Sequence, residues 1–232
     1  MNLYFDIETV PCQLAGIKEE FAAAVKAPAT HKKAESIAAW LDEHREEEAE
    51  AAWLKTSFDG GLGQIVCISW ALDDGDTHCL HVSDLALSGE ADLLEYWFED
   101  LTKLHRNSGT RPVLVGHNII GFDIPFIWKR AMIHGIKPPA WFPRAPKPWS
   151  EQVIDTMTLW DPSQRSGASM DRICRLMGLP GKGGISGADV WPMVQAGKIG
   201  DVAEYCRGDV ERTRAMYRRM TFAAVKKELV AA

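Results

Sequence analysis

Acidic side chains in three short segments have the types and spacing of ligands for divalent metal ions. The set comprises Asp6, Glu8, Asp123, Tyr205 and Asp209. Carboxylate oxygens are hard ligands that favour Mg²⁺ or Mn²⁺ over zinc. Four carboxylates can hold two such ions, which activate a water and stabilise the departing oxygen when a phosphodiester is hydrolysed. The sequence therefore predicts a two-metal phosphodiesterase site in which Tyr205, whose free pKa is about 10, orients the water.

The first two acids lie on a predicted strand over residues 2–8, where polar and apolar residues alternate. Asp6 and Glu8 are two positions apart, so their side chains point to the same face of the sheet. Their neighbours Phe5 and Ile7 are apolar. Burying two acids in such surroundings is costly unless a cation compensates them.

The third acid follows a short apolar strand predicted over residues 112–116 and precedes a helix predicted over 124–134. Sites in open α/β sheets form at the carboxyl ends of strands, which favours Asp123 as a metal ligand. The alternative is that Asp123 only caps the helix. Asn118, five residues earlier, is a candidate for a hydrogen bond to the site or to a substrate backbone.

Tyr205 and Asp209 lie four residues apart on a long helix predicted over residues 201–220, so they share one face. An Asp201-x-x-Glu204 capping box is predicted to open that helix. Gly208 is unfavourable inside a helix by roughly 1 kcal/mol. We explain it by a close approach of the backbone to metal or substrate.

The remaining pattern predicts an α/β protein with a mixed sheet and helices on both faces. Three further strands are predicted over residues 64–72, 77–82 and 153–157, and two further helices over 90–105 and 170–177. Residues 12–58, rich in Ala and Glu from about 34 to 54, are predicted to form a helical insertion after the first strand. We expect one domain over residues 1–232.

Composition excludes several classes of protein. The 232 residues carry a net charge of −6, which argues against a protein that coats nucleic acid through bulk electrostatics but not against one that grips a strand end through metals. Five scattered cysteines without a Cys-x-x-Cys pair predict neither a disulfide framework nor a zinc cage. The apolar runs are too short to cross a membrane, and the N-terminus does not resemble a signal peptide. We therefore expect a cytoplasmic protein.

The motifs resemble those of the DEDD superfamily of 3′→5′ exonucleases. Phe5-Asp6-Ile7-Glu8-Thr9 is similar to its first motif, His117 to Asp123 (His-Asn-Ile-Ile-Gly-Phe-Asp) to its second, and Tyr205-Cys-Arg-Gly-Asp209 to its third. Tyrosine four residues before the last Asp is typical of the tyrosine branch. Over residues 1–11 and about 60–220 the chain is similar to the exonuclease domain of family-B DNA polymerases.

This resemblance implies a ribonuclease-H-like fold with a five-stranded mixed sheet and 3′→5′ exonuclease activity on single-stranded DNA ends. It implies two Mg²⁺ or Mn²⁺ ions and a role in replication or repair, with a partner protein from that machinery. The candidate substrate contacts are Thr9, Asn118, Phe122, Asp155 and Lys182. For Asp155 the alternative is an ordinary polar residue at a strand end, and Lys182 lies in a glycine-rich loop where it would meet a phosphate.

Three other functions remain open at the sequence level. An exoribonuclease would use the same residues, since no contact to a 2′-hydroxyl can be located. A catalytically silent module that binds nucleic acid or a protein partner would not need all four carboxylates. A ribonuclease-H-like endonuclease would share the fold but not the late Tyr205 and Asp209 pair. The sequence does not indicate an oligomeric state.

Overall fold

The computed structural model describes residues 1–163 and 168–223. Its strands are β1 (Asn2–Val10), β2 (Gln64–Leu72), β3 (Thr77–His81), β4 (Val113–Gly116) and β5 (Val153–Asp155). They form one five-stranded sheet in the order β3-β2-β1-β4-β5. The first three strands are antiparallel, whereas β4 and β5 run parallel to β1. The predicted mixed five-stranded sheet is confirmed.

Eight α-helices accompany the sheet in the described part of the chain. They are α1 (Ile17–Ala24), α2 (Ala34–Leu54), α3 (Leu87–Ser108), α4 (Asp123–His134), α5 (Thr156–Trp160), α6 (Met170–Leu176), α7 (Gly187–Gln195) and α8 (Ile199–Met220). A short 3₁₀ helix, Lys55–Phe58, follows α2. The helix α7 was not predicted. Over the residues described, none of the helices has the length and apolar character needed to span a membrane.

The alternation of β1 sends its apolar and acidic residues to opposite faces of the sheet. Phe5 packs against Trp97 of α3, with 5.7 Å between the ring centroids. Tyr4 packs against Tyr217 of α8, with 6.0 Å between the centroids. Because Asp6 is two residues from Tyr4, it lies on the face that α8 covers. The sheet is thus covered by α3 on one side and by α8 on the other.

The helices α1 and α2 fall in the region predicted as a helical insertion. Trp53 anchors the end of α2, because its indole Nε1 donates a hydrogen bond of 2.8 Å to the Cys12 carbonyl. The same ring packs edge-on against Trp191 of α7, at 5.4 Å between centroids. The single domain over residues 1–232 stays a prediction, and residues 164–167 and 224–232 lie outside the described part.

A buried ion pair joins α3 and α4 on the side of the sheet away from α8. Glu90 is fully buried and accepts hydrogen bonds from Arg130 at 2.9 and 2.6 Å and from the Ile65 backbone N–H at 2.7 Å. His134 Nε2 lies 2.7 Å from the same carboxylate. Every oxygen of Glu90 therefore has a partner, as a buried charge requires.

Two details of α8 and its surroundings differ from the sequence prediction. The helix begins at Ile199 with Lys198 as its N-cap, so the capping box predicted at Asp201 is wrong. The capping box lies instead on α7, between Ser186 and Asp189. Near the C-terminal end of α8, Arg214 donates hydrogen bonds to the carbonyls of Asp73 and Gly75, at 3.1 and 2.7 Å. This contact fastens α8 to the turn between β2 and β3.

The last predicted strand is also shorter than expected. Asp155 ends β5 and caps the short helix α5, because its carboxylate accepts a hydrogen bond of 2.9 Å from the Met157 backbone N–H. A side chain that accepts from the residue two positions later stops the strand and starts the helix. The predicted strand residues 156 and 157 therefore belong to α5.

Candidate metal centre

The carboxylates of β1 lie beside a cysteine of α8. Cys206 Sγ is 3.5 Å from Asp6 Oδ2. One ligand atom each from Asp6, Glu8 and Cys206 lie within 4.8 Å of one another. Directly after Glu8 the pairing of β1 with β2 shifts register, which leaves an extra residue in β2. Bulges of this kind often adjoin active sites, where they redirect side chains.

Asp123 is held against the strand segment that carries the first two acids. It is the first residue of α4, is buried, and its Oδ1 accepts a hydrogen bond of 3.2 Å from the Ile7 backbone N–H. The pairing of β1 with β4 extends only to Tyr4. The Ile7 N–H that binds Asp123 therefore lies beyond the end of that pairing. Its carboxylate thus lies next to the backbone between Asp6 and Glu8.

The face of α8 that carries Tyr205 and Asp209 is buried and in contact with two cations. Lys182 Nζ donates to Asp209 Oδ2 at 2.5 Å and to the Tyr205 hydroxyl at 2.7 Å. Arg212 donates to Asp209 Oδ1 at 2.6 Å and to the Gly181 carbonyl at 3.1 Å. Lys182 therefore lies beside two of the five residues that the motifs single out.

The acids of β1 and α4 resist ionisation. Burial raises the pKa of Asp6 well above its usual value, and the neighbouring Cys206, Asp123 and Asp209 raise it further. Burial and the charge of Asp209 raise the pKa of Glu8 to about 8. Burial also raises the pKa of Asp123 to about 8, against two backbone hydrogen bonds that lower it. A divalent cation would relieve this crowding, so the donor set fits Mg²⁺ or Mn²⁺.

The partners of Asp209 keep their protons. Burial acts to lower the pKa of Lys182, but the charge of Asp209 and hydrogen bonds to Asp209 and Tyr205 outweigh it, and the net pKa is raised. Burial and the charge of Asp209 raise the pKa of the Tyr205 hydroxyl as well. Lys182 is therefore an ammonium ion and Tyr205 a neutral phenol near neutral pH. A neutral phenol suits the orienting role predicted for Tyr205 better than that of a base.

Of the candidate substrate contacts, Asn118 lies in the loop between β4 and α4, and Asp155, at the end of β5, bonds to that loop. Asn118 is exposed and has a positive φ of 65°, which asparagine tolerates better than most residues. Asp155 is buried and accepts hydrogen bonds from the backbone N–H groups of Asn118, at 2.8 Å, and Ile120, at 3.1 Å. Asp155 is thus placed as a support of this loop, and Asn118 as its exposed tip.

The other two candidates lie beside the 3₁₀ helix after α2. Thr9 Oγ1 donates a hydrogen bond of 2.7 Å to the Ser57 carbonyl. The Phe122 ring packs against Phe126, with 5.4 Å between centroids, and against Phe58, with 6.4 Å. Both candidates are adjacent in sequence to the cluster, since Thr9 follows Glu8 and Phe122 precedes Asp123.

Sequence reasoning missed Arg212 and its closeness to Gly208. The Arg212 side chain is only 16% exposed and is bonded to Asp209. A Cβ at Gly208 would lie 2.9 Å from Arg212 Nη1. Gly208 therefore leaves room for this guanidinium, and a close approach of its backbone to metal or substrate stays a prediction. The sequence contained one indication of this contact, because Arg212 is three residues after Asp209 and side chains at that spacing on a helix are neighbours.

The fold and the cluster together define a class of protein. A five-stranded mixed sheet with helices on both faces, in the ribonuclease-H-like arrangement of polymerase exonuclease domains, carries an acidic group on its central strand. Residues 52–229 match the family model described as "Predicted 3'-5' exonuclease related to the exonuclease domain of PolB". The chain belongs to this family, whose membership implies a nuclease that binds nucleic acid and uses divalent metal ions.

A solved structure shares the fold. The family B DNA polymerase from the hyperthermophilic archaeon Pyrobaculum calidifontis superposes with a TM-score of 0.57 and 16% sequence identity. The alignment covers 94% of this chain and 24% of the polymerase, so the chain spans about a quarter of that protein. At this identity the likeness supports the fold alone. No curated protein sequence matches the chain.

Proposed function

We propose that this protein is a metal-dependent exonuclease of the tyrosine branch that removes nucleotides from the 3′ end of single-stranded DNA. The observation that carries the proposal is the convergence of acids from β1, α4 and α8. Asp123 bonds to the backbone between Asp6 and Glu8, and Cys206, from the helix turn that carries Tyr205 and Asp209, contacts Asp6. Asp209 of α8 is near enough for its charge to raise the pKa of Glu8, so elements about 200 residues apart in the chain would supply one acidic site.

Four carboxylates of the site would hold two divalent ions. They are Asp6, Glu8, Asp123 and Asp209. When bound, such ions lower the pKa of water and stabilise the oxygen that leaves the phosphate. The fit is supported by the pKa values of about 8 for Glu8 and Asp123, because a carboxylate that is reluctant to ionise beside its neighbours gains most from a cation.

The neighbouring side chains would position the reactants. Tyr205 keeps its proton, so its hydroxyl would orient the attacking water by a hydrogen bond. Lys182, 2.7 Å from that hydroxyl and 2.5 Å from Asp209, would fix the phenol and offer a positive charge to the substrate phosphate. Arg212 would hold Asp209 in its orientation through the other oxygen, at 2.6 Å.

The test uses single-stranded DNA oligonucleotides labelled at either end, with Mg²⁺, Mn²⁺ or EDTA. A metal-dependent ladder that shortens from the 3′ end is expected for the wild type and not for the Asp6→Ala variant. RNA of the same sequence tests the exoribonuclease alternative, and circular DNA tests an endonuclease. A folded wild-type protein that cleaves none of these substrates with either metal would contradict the proposal. The remaining alternative would then be a catalytically silent module that binds nucleic acid or a protein partner.

A further inference from the structure

An exposed phenylalanine follows α2 on a turn that is bonded to the end of β1 and packed against α4. Phe58, the last residue of the 3₁₀ helix after α2, is 73% exposed. Isolated apolar residues on a surface are common and need no explanation by themselves. Phe58 is of interest because of the way its backbone is held and because of the ring that it faces.

The backbone around Phe58 is anchored to the end of β1. The Ser57 carbonyl accepts the 2.7 Å hydrogen bond from Thr9, two residues after Ile7, whose N–H binds Asp123. Thr56 is buried, and its hydroxyl accepts from the Cys12 backbone N–H at 2.8 Å and donates to the Trp53 carbonyl at 2.6 Å. The two residues that precede Phe58 in the chain are thus tied to fixed groups.

The segment after Phe58 is pressed against α4. A Cβ at Gly60 would lie 2.8 Å from the Phe126 Cα, and one at Gly63 would lie 2.6 Å from the Thr56 carbonyl oxygen. Asp59 and Lys129 of α4 form an ion pair at 2.5 Å. Since the two glycines permit this close packing, the turn has little freedom to fold Phe58 inward.

The Phe58 ring faces Phe122, the residue directly before Asp123. Their centroids are 6.4 Å apart and their planes are inclined by 60°. Phe122 is half-buried against Phe126, so one ring of the pair belongs to the core and the other projects into solvent. The pair therefore forms an apolar surface that reaches the residue directly before Asp123.

We infer that Phe58 is a stacking platform for a nucleobase close to the 3′ end of the substrate strand, with Phe122 as its inner wall. This inference rests on the proposed function, because it takes the scissile phosphate to lie at the acidic cluster. Because Phe122 directly precedes Asp123 and its ring lies 6.4 Å from that of Phe58, a base attached to that phosphate would meet these two rings. Stacking on an aromatic ring accepts any base, so the subsite would serve an exonuclease that reads no sequence.

The experiment compares wild type with Phe58→Ala and Phe58→Trp on two single-stranded DNA oligonucleotides. One is an ordinary 12-nucleotide strand, and the other lacks the bases of its last three nucleotides. With the ordinary strand, Phe58→Ala should raise KM about 10-fold, since a stacked base contributes that much or more to binding. Phe58→Trp should restore KM. With the strand that lacks bases, all three proteins should have the same KM.

The matched control is Tyr96→Ala, which removes an aromatic ring of 63% exposure from α3. It should leave KM unchanged on both strands. A Phe58→Ala protein within twofold of wild type on the ordinary strand, or equally impaired on both strands, would overturn the stacking role while the exonuclease stands. A wild type that shortens neither strand would overturn the proposed function, and this inference with it.

Discussion

The fully buried Glu90 and the half-buried pair Asp6 and Glu8 have opposite kinds of neighbours. Glu90 lies between α3 and α4 and makes four hydrogen bonds with three residues, two of them from the cation Arg130. Asp6 and Glu8, on the other face of the sheet, have carboxylates and a thiol as neighbours and raised pKa values. The first acid is compensated within the protein, and the second group needs a partner from outside. An uncompensated acid is therefore the better marker of function.

The largest effect is expected from neutralising an uncompensated acid. Asp6→Asn should lower exonuclease activity by about 1000-fold or more, because a lost metal ligand removes several kcal/mol of transition-state stabilisation. Thermal unfolding in EDTA should show a protein at least as stable as wild type. A variant that unfolds at a lower temperature than wild type would show that Asp6 stabilises the fold as Glu90 does, which would contradict the contrast between the two acids.

The converse change removes the compensated acid. Glu90→Gln should lower the free energy of unfolding by about 3–5 kcal/mol, because it leaves the Arg130 guanidinium buried without its counter-charge. Urea denaturation measures this loss, and Mn²⁺ affinity by calorimetry should not change. The control is Glu99→Gln on the same helix, whose side chain is 65% exposed and which should cost little. A loss below 1 kcal/mol for Glu90→Gln would contradict the prediction.

A smaller effect is expected at Tyr205, whose hydroxyl is joined to Asp209 through Lys182. Tyr205→Phe should lower kcat by about 100-fold, because it removes the group that orients water. Its Mn²⁺ affinity should stay within twofold of wild type, since the tyrosine is not proposed as a metal ligand. Tyr217→Phe, on the same helix and packed against Tyr4, serves as the control. Equal loss of kcat in both variants would point to a general effect on α8.

The smallest effect concerns stability against pH in EDTA. The pKa values of Glu8 and Asp123 are about 8 in the folded protein and near 4 when unfolded. Between these values the folded state binds more protons, so the melting temperature should fall as pH rises from about 5 to about 8. Glu8→Gln should flatten this decline, and Mn²⁺ should reverse it in wild type. A melting temperature that rises with pH in EDTA would be the contrary result.

Much of this arrangement could be predicted from local sequence. The strand over residues 64–72 and the turn that follows it have strong local signals, and both ends of β2 agree with the prediction. The same holds for the acids of β1, because strand alternation alone places Asp6 and Glu8 on one face. Local patterns suffice wherever one element determines the geometry.

What could not be predicted depends on contacts between elements. Arg212 appears on a helical wheel as one of several surface arginines, and only the packing of α8 against the loop around Gly181 brings it to Asp209. Similarly, the stop at Asp155 depends on backbone donors of the loop after β4. The helix α7 was missed because glycine and proline, at Gly187 and Pro192, obscure its pattern.

The bond between Arg214 and the turn at Asp73 and Gly75 sets the longitudinal position of α8. A helix advances about 1.5 Å per residue, so a slip of one turn would carry Tyr205 and Asp209 about 5.4 Å along the sheet, beyond the reach of Lys182. The hairpin between β2 and β3 therefore fixes the position, along the helix axis, of the residues Tyr205 and Asp209 that α8 carries. An insertion or deletion in that hairpin, although it changes none of the four candidate metal ligands, should displace Asp209 from Asp6 and Glu8.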